Sequence, residues 1–171
     1  FVALRQIVRR QLVGAPLSKA EREFLHQIVE THASVLQADL SWTEKVCGMA
    51  CARDGSLSVN FGFGKYPNRN VVDGYGGASR GVEQWTVRAS RALASDPDRI
   101  DVGPLRYEVL EPLRAVRVVL EPNAVQPLAY DMVLRGSLPC TLEEREDRRT
   151  LTGYRRSADQ IRYHQLGVAS G

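Results

Sequence analysis

Between Leu105 and Arg135, apolar and polar positions alternate in three short runs. Leu105, Tyr107 and Val109 are interleaved with Arg106 and Glu108, and Val116, Val118 and Leu120 with Arg117 and Val119. Leu128, Tyr130, Met132 and Leu134 alternate with Asp131, Val133 and Arg135. A period of two predicts strands with one wetter face. Glu111-Pro112 and Glu121-Pro122-Asn123 separate the runs, as proline and asparagine do at turns. The simplest arrangement of the three is an antiparallel meander.

The rest of the chain extends this pattern. Ser18 as N-cap, with Glu21 three residues on, forms a capping box. Phe24, Leu25, Ile28, Val29 and His32 then lie on one stripe at helical spacing, which predicts a helix from about residue 19 to 33. From Ser41 the period shortens. Residues 42–53 read as a strand anchored by Trp42 and Val46, and Asp54-Gly55 is a strong hairpin signal. Leu57, Val59, Phe61 and Phe63 alternate with Ser58, Asn60 and Gly62 in the clearest half-buried strand. Residues 64–81, with Asp73-Gly74, Gly76-Gly77 and Gly81, read as a long glycine-rich loop able to gate an opening. Residues 82–93 are extended again, with Trp85, Val87 and Ala89 on one side. EEREDRR at 143–149 reads as a loop or a short exposed helix. Ile161 and Tyr163 belong to a final strand. The expected fold is mainly β: an antiparallel barrel or β-sandwich with one N-terminal helix. Residues 1–38 form the helical decoration and 39–171 the antiparallel β domain.

Composition narrows the class. The 171 residues, 43% hydrophobic and 25% charged, suit one globular domain. No run approaches the ~20 apolar residues of a membrane-spanning helix, so no membrane span is expected. A formal charge of +3, with arginines spread among acids, is no nucleic-acid footprint. Three cysteines, Cys47, Cys51 and Cys140, are too few for a disulfide scaffold and favour the cytoplasm over secretion. The chain starts at Phe1 and ends in mid-pattern, so it is expected to belong to a longer protein, with a second domain or subunit as partner.

Candidate chemistry is sparse. DGYGGASRG lacks the Gly-Lys-Ser/Thr of a phosphate loop and the spacing of a dinucleotide fingerprint. His26 and His32 do not face one another on a helix, and Cys47 and Cys51 lie about 13 Å apart along a strand, so no metal is expected. No cofactor is expected either. Glu44 shares a face with Trp42 and Val46; if that face is inward, burial raises its pKa unless a cation answers it. Glu44 is therefore the first acid–base candidate, followed by Asp73 and Asp131. Trp42, Phe61, Phe63, Trp85, Tyr107 and Tyr130 are candidates to line an interior for an apolar small molecule. The same six side chains also describe an ordinary core.

SWTEKV, then DGSLSVNFGFGKYPN and a glycine-rich stretch, resembles the opening strands of the carotenoid 1,2-hydratase (hydroxyneurosporene synthase)-like family. The string DVGPLRYEVLEPLRAVRVVLEPN is also similar to that family, at Gly103, Pro104, Tyr107, Glu108, Pro112, Leu113 and Arg117. Arg162, Gln165, Gly167 and Gly171 resemble the end of its first barrel. The resemblance covers residues 40–171. It implies tandem lipocalin-type barrels, of which this chain is the first, and binding of an isoprenoid or lipid-like ligand. It also implies hydratase chemistry on isoprenoid double bonds, in which an acid protonates the alkene and a base positions water. Glu44, Asp73 and Asp131 are the residues available for that role. A structural or protein-interaction domain with a solid interior is the alternative.

Overall fold

The computed structural model describes residues 18–20, 40–94, 99–143, 146–149, 156–160 and 162–171. The first sheet is built from β1 (Glu44–Cys51), β2 (Ser58–Tyr66), β3 (Val71–Arg80) and β4 (Glu83–Ala92), in that spatial order. The second holds β5 (Leu105–Glu111), β6 (Ala115–Leu120) and β7 (Tyr130–Gly136), with β12 (Gly167–Ser170) on the far side of β7. All pairings are antiparallel. Two short pairs complete the described strands: β8 (Thr141–Leu142) with β11 (Tyr163–His164), and β9 (Glu146–Arg149) with β10 (Arg156–Gln160).

Local chemistry explains the hairpins. In the β1–β2 turn the Asp54 carboxylate accepts from the Ser56 amide at 3.0 Å and from its hydroxyl at 2.7 Å. Gly55 follows with φ of 74°, a left-handed conformation that costs glycine little. Between β2 and β3 the chain makes a single 3-10 turn over Pro67–Arg69 and reverses at Asn70, whose φ is 56°. Asparagine enters that region more readily than most non-glycine residues, and here its Oδ1 accepts from the distant Ala94 amide at 2.9 Å.

The two sheets share one core. Phe61 and Phe63 of β2 and Val87 of β4 pack with Leu105, Tyr107, Val118, Leu120 and Met132 of the second sheet. The Tyr107 ring lies 6.3 Å from Phe61 and 5.7 Å from Phe63, a tilted aromatic cluster. The close approach of the sheets depends on β3. A Cβ at Gly76 would stand 2.9 Å from the Leu105 side chain and 2.5 Å from the Tyr130 hydroxyl. Tyr130 reaches past this bare position to donate to the Asn60 carbonyl at 3.2 Å.

Several expectations are overturned here. A barrel requires hydrogen bonds that carry one sheet into the next around the ring. Among the described residues no ladder joins β4 to β5 or β1 to β12, so the fold is two open four-stranded sheets and not a lipocalin-like barrel. Alternation could not reveal this, because apolar-in, polar-out strands occur in open and closed sheets alike. The expected N-terminal helix lies outside the described residues, except for Lys19 and Ala20, which are helical. The supposed glycine-rich gate at 64–81 is the end of β2, one tight turn and the whole of β3, which pairs on both sides. EEREDRR is neither loop nor helix at 146–149, which form β9.

Candidate functional site

Side-chain direction follows from register. Glu44, Val46, Gly48 and Ala50 of β1 are half-buried, and Lys45, Cys47, Met49 and Cys51 between them are exposed. On β2 the inward set is Val59, Phe61, Phe63 and, continuing the same period, Lys65. Lys65 is a wholly buried cation, 0% exposed. It stands directly opposite Glu44 on one side and Val72 on the other. Two residues before Glu44, Trp42 is half-buried, and its indole Nε1 is buried with no hydrogen-bond partner. An indole, a carboxyl and an ammonium group thus gather at the Glu44 end of the first sheet.

Burial dominates the electrostatics of this group. Loss of water pushes the Glu44 carboxyl up to about 7, and the attraction of Lys65 only partly opposes that rise. A carboxyl that titrates near neutrality can give or take a proton at physiological pH. A buried ammonium attracts an anionic or strongly polar oxygen, because little water is there to screen its charge.

The other candidates are not brought to this place. Asp73 pairs with Gly64, which opposes Lys45, and so belongs to the outer face of the first sheet. Asp131 lies on the outer face of the second sheet, where Arg117 donates to both carboxylate oxygens at 2.8 and 2.6 Å. These bonds hold the Asp131 carboxyl below its usual range and raise the Arg117 guanidinium. Phe61, Phe63 and Tyr107 are core side chains packed on one another. Trp42, Trp85 and Tyr130 are half-buried. Burial raises the Tyr130 hydroxyl to about 12, with a smaller contribution from Tyr75. Lys65 falls within the glycine-rich stretch from residue 64 that reads as a loop, which hides its place on β2. The signal was present: Lys65 continues the alternation of Leu57, Val59, Phe61 and Phe63 by one more step.

Among the described residues, no group of three or more His, Cys, Asp or Glu side chains is arranged to hold a metal ion. Cys47 and Cys51 are exposed free thiols, and Cys140 is buried. No helix among the described residues is long and apolar enough to cross a membrane.

The architecture defines a class: a mainly β protein of two open antiparallel sheets over a shared aromatic core. Within it, residues 17–171 match the model of a family of unknown function, DUF8625, and the chain belongs to that family. This membership and the open sheets correct the assignment to the carotenoid hydratase-like family with its tandem barrels, and with it the isoprenoid, lipid-binding and hydratase readings drawn from that family. No curated protein and no solved structure matches the chain.

Proposed function

We propose that this is a binding domain for a small, largely apolar molecule bearing an acidic oxygen, held where Trp42, Glu44 and Lys65 meet. The observation that carries the reading is Lys65, a fully buried cation that faces a carboxyl poised near neutral pH. Apolar surroundings with a few convergent polar groups and a displaced pKa are the usual marks of a ligand site. The Trp42 N–H, buried without a hydrogen-bond partner two residues before Glu44, supplies a second donor, and its indole supplies apolar surface.

The arrangement makes binding pH-dependent. Above pH 7 the Glu44 carboxylate competes with an anionic ligand for Lys65. Below pH 7 Glu44 is neutral and no longer competes with the ligand. With a pKa of about 7, roughly a tenth of the protein is competent at pH 8 and nine-tenths at pH 6, so affinity is about tenfold weaker at pH 8.

Calorimetric titration with phenylacetate as probe, and 2-phenylethanol as its uncharged counterpart, tests this. The expected result is saturable phenylacetate binding at pH 6, about tenfold weaker at pH 8. Lys65→Met is expected to abolish it, and Glu44→Gln to bind equally at both pH values. Binding that does not respond to pH, or no heat from either compound at either pH, overturns the reading.

A further inference from the structure

The four edges of the two four-stranded sheets are not protected alike. β4 carries Glu83, Arg88 and Arg91. β5 carries Arg106, Glu108 and Glu111 and has a register shift between Val109 and Glu111. β12 is only four residues long. Charges, bulges and shortness are the usual devices against unwanted strand pairing. β1 is eight residues long and pairs with β2 without a shift, and Val46–Cys51 carries no charge and no proline. Its outer face shows Cys47, Met49 and Cys51, with Met49 68% exposed.

The backbone groups of β1 can be assigned to its two sides. The Ala52 amide donates to the Leu57 carbonyl at 2.8 Å, and this pair continues the β1–β2 register. Hydrogen-bonded and non-hydrogen-bonded pairs alternate along an antiparallel ladder. Glu44, Val46, Gly48 and Ala50 therefore bond to β2. Lys45, Cys47, Met49 and Cys51 turn their N–H and C=O groups to the other side, where no described strand pairs with them.

We propose that two copies of this chain associate by antiparallel pairing of their β1 strands about a two-fold axis at Gly48, joining two four-stranded sheets into one. Beyond the ligand reading, this assigns an interaction surface, and it stands independently of the Glu44 site. The strand is self-complementary in that register. Lys45 faces Cys51 of the second copy and Cys47 faces its Met49, each twice, so no like charges meet. All four outward-turned residues of each copy fall in hydrogen-bonded pairs, whereas an axis at Cys47 or Met49 leaves only three such pairs within β1. At the axis itself two non-hydrogen-bonded residues approach to about 4.5 Å between Cα atoms. Gly48 suits that place, and a Cβ there would stand 2.6 Å from the Phe61 ring beneath. The interface is isologous and closes on itself, so it yields a dimer and not a fibre.

The test is sedimentation of the full chain together with thiol cross-linking. The wild-type protein is expected to be a dimer, and Met49→Lys a monomer with an unchanged circular dichroism spectrum. In Met49→Cys combined with Cys51→Ser, the introduced thiol faces Cys47 of the second copy at a Cα separation of about 5.5 Å, within disulfide reach. A glutathione redox buffer should convert this variant to a covalent dimer joined through Cys47. Glu44→Gln should leave the dimer intact, which separates this proposal from the ligand site. A wild-type protein monomeric up to ~1 mM, the range of the weakest specific contacts, overturns the proposal. So does a dimer that survives Met49→Lys.

Discussion

Replacing Glu44 with glutamine should stabilise the protein at high pH and leave it unchanged at low pH. The folded state holds the Glu44 proton to about pH 7, against an ordinary value of 4.5, because burial penalises the carboxylate more than Lys65 rewards it. From about pH 4.5 to 7 the folded chain therefore binds more protons than the unfolded one, and stability falls as pH rises. Above 7 both states are ionised and the loss is complete. The full displacement corresponds to roughly 3 kcal/mol. Glu44 is only half-buried, so solvent screening reduces this to about 1–2 kcal/mol. Glutamine resembles the protonated side chain and cannot ionise. The variant should match the wild type near pH 4.5 and exceed it by about 1–2 kcal/mol at pH 8, or roughly 3–6 °C in Tm. Urea titrations of both proteins from pH 4.5 to 8.5 measure this directly. Parallel pH profiles, or a variant less stable than wild type at pH 8, would refute the reasoning and show that the attraction of Lys65 outweighs the cost of burial.

Gly76→Val should destabilise by about 1–3 kcal/mol, the range for overpacking a filled core, because its Cβ meets Leu105 and the Tyr130 hydroxyl; urea unfolding reads the loss. Asp131→Asn removes an exposed ion pair with Arg117 and should move Tm by no more than about 2 °C, without altering phenylacetate binding. A tenfold loss of that binding would place Asp131 in the site after all.

What the sequence determined by itself was local. Side chains alternate across any strand, so a period of two placed Phe61, Tyr107 and Val118 on inward faces before any sheet was known. Asp54-Gly55 set the first hairpin through one carboxylate and one left-handed residue. The tertiary structure decided what depends on atoms distant along the chain. The glycines of β3 read as a loop because their own propensity disfavours a strand; only Leu105 and Tyr130, pressed against Gly76 from the opposite sheet, make the absence of a side chain the fitting choice. The acidic and basic residues of β9 become a strand through pairing with β10. Open sheets and a barrel share one alternation pattern, and the absence of a β4–β5 ladder among the described residues separates them. Lys65 lay in the alternation all along, but its complete burial opposite Glu44 follows from the β1–β2 register and the packing of the sheets. The near-neutral titration of Glu44 follows from the same packing, because desolvation is a property of what surrounds a side chain.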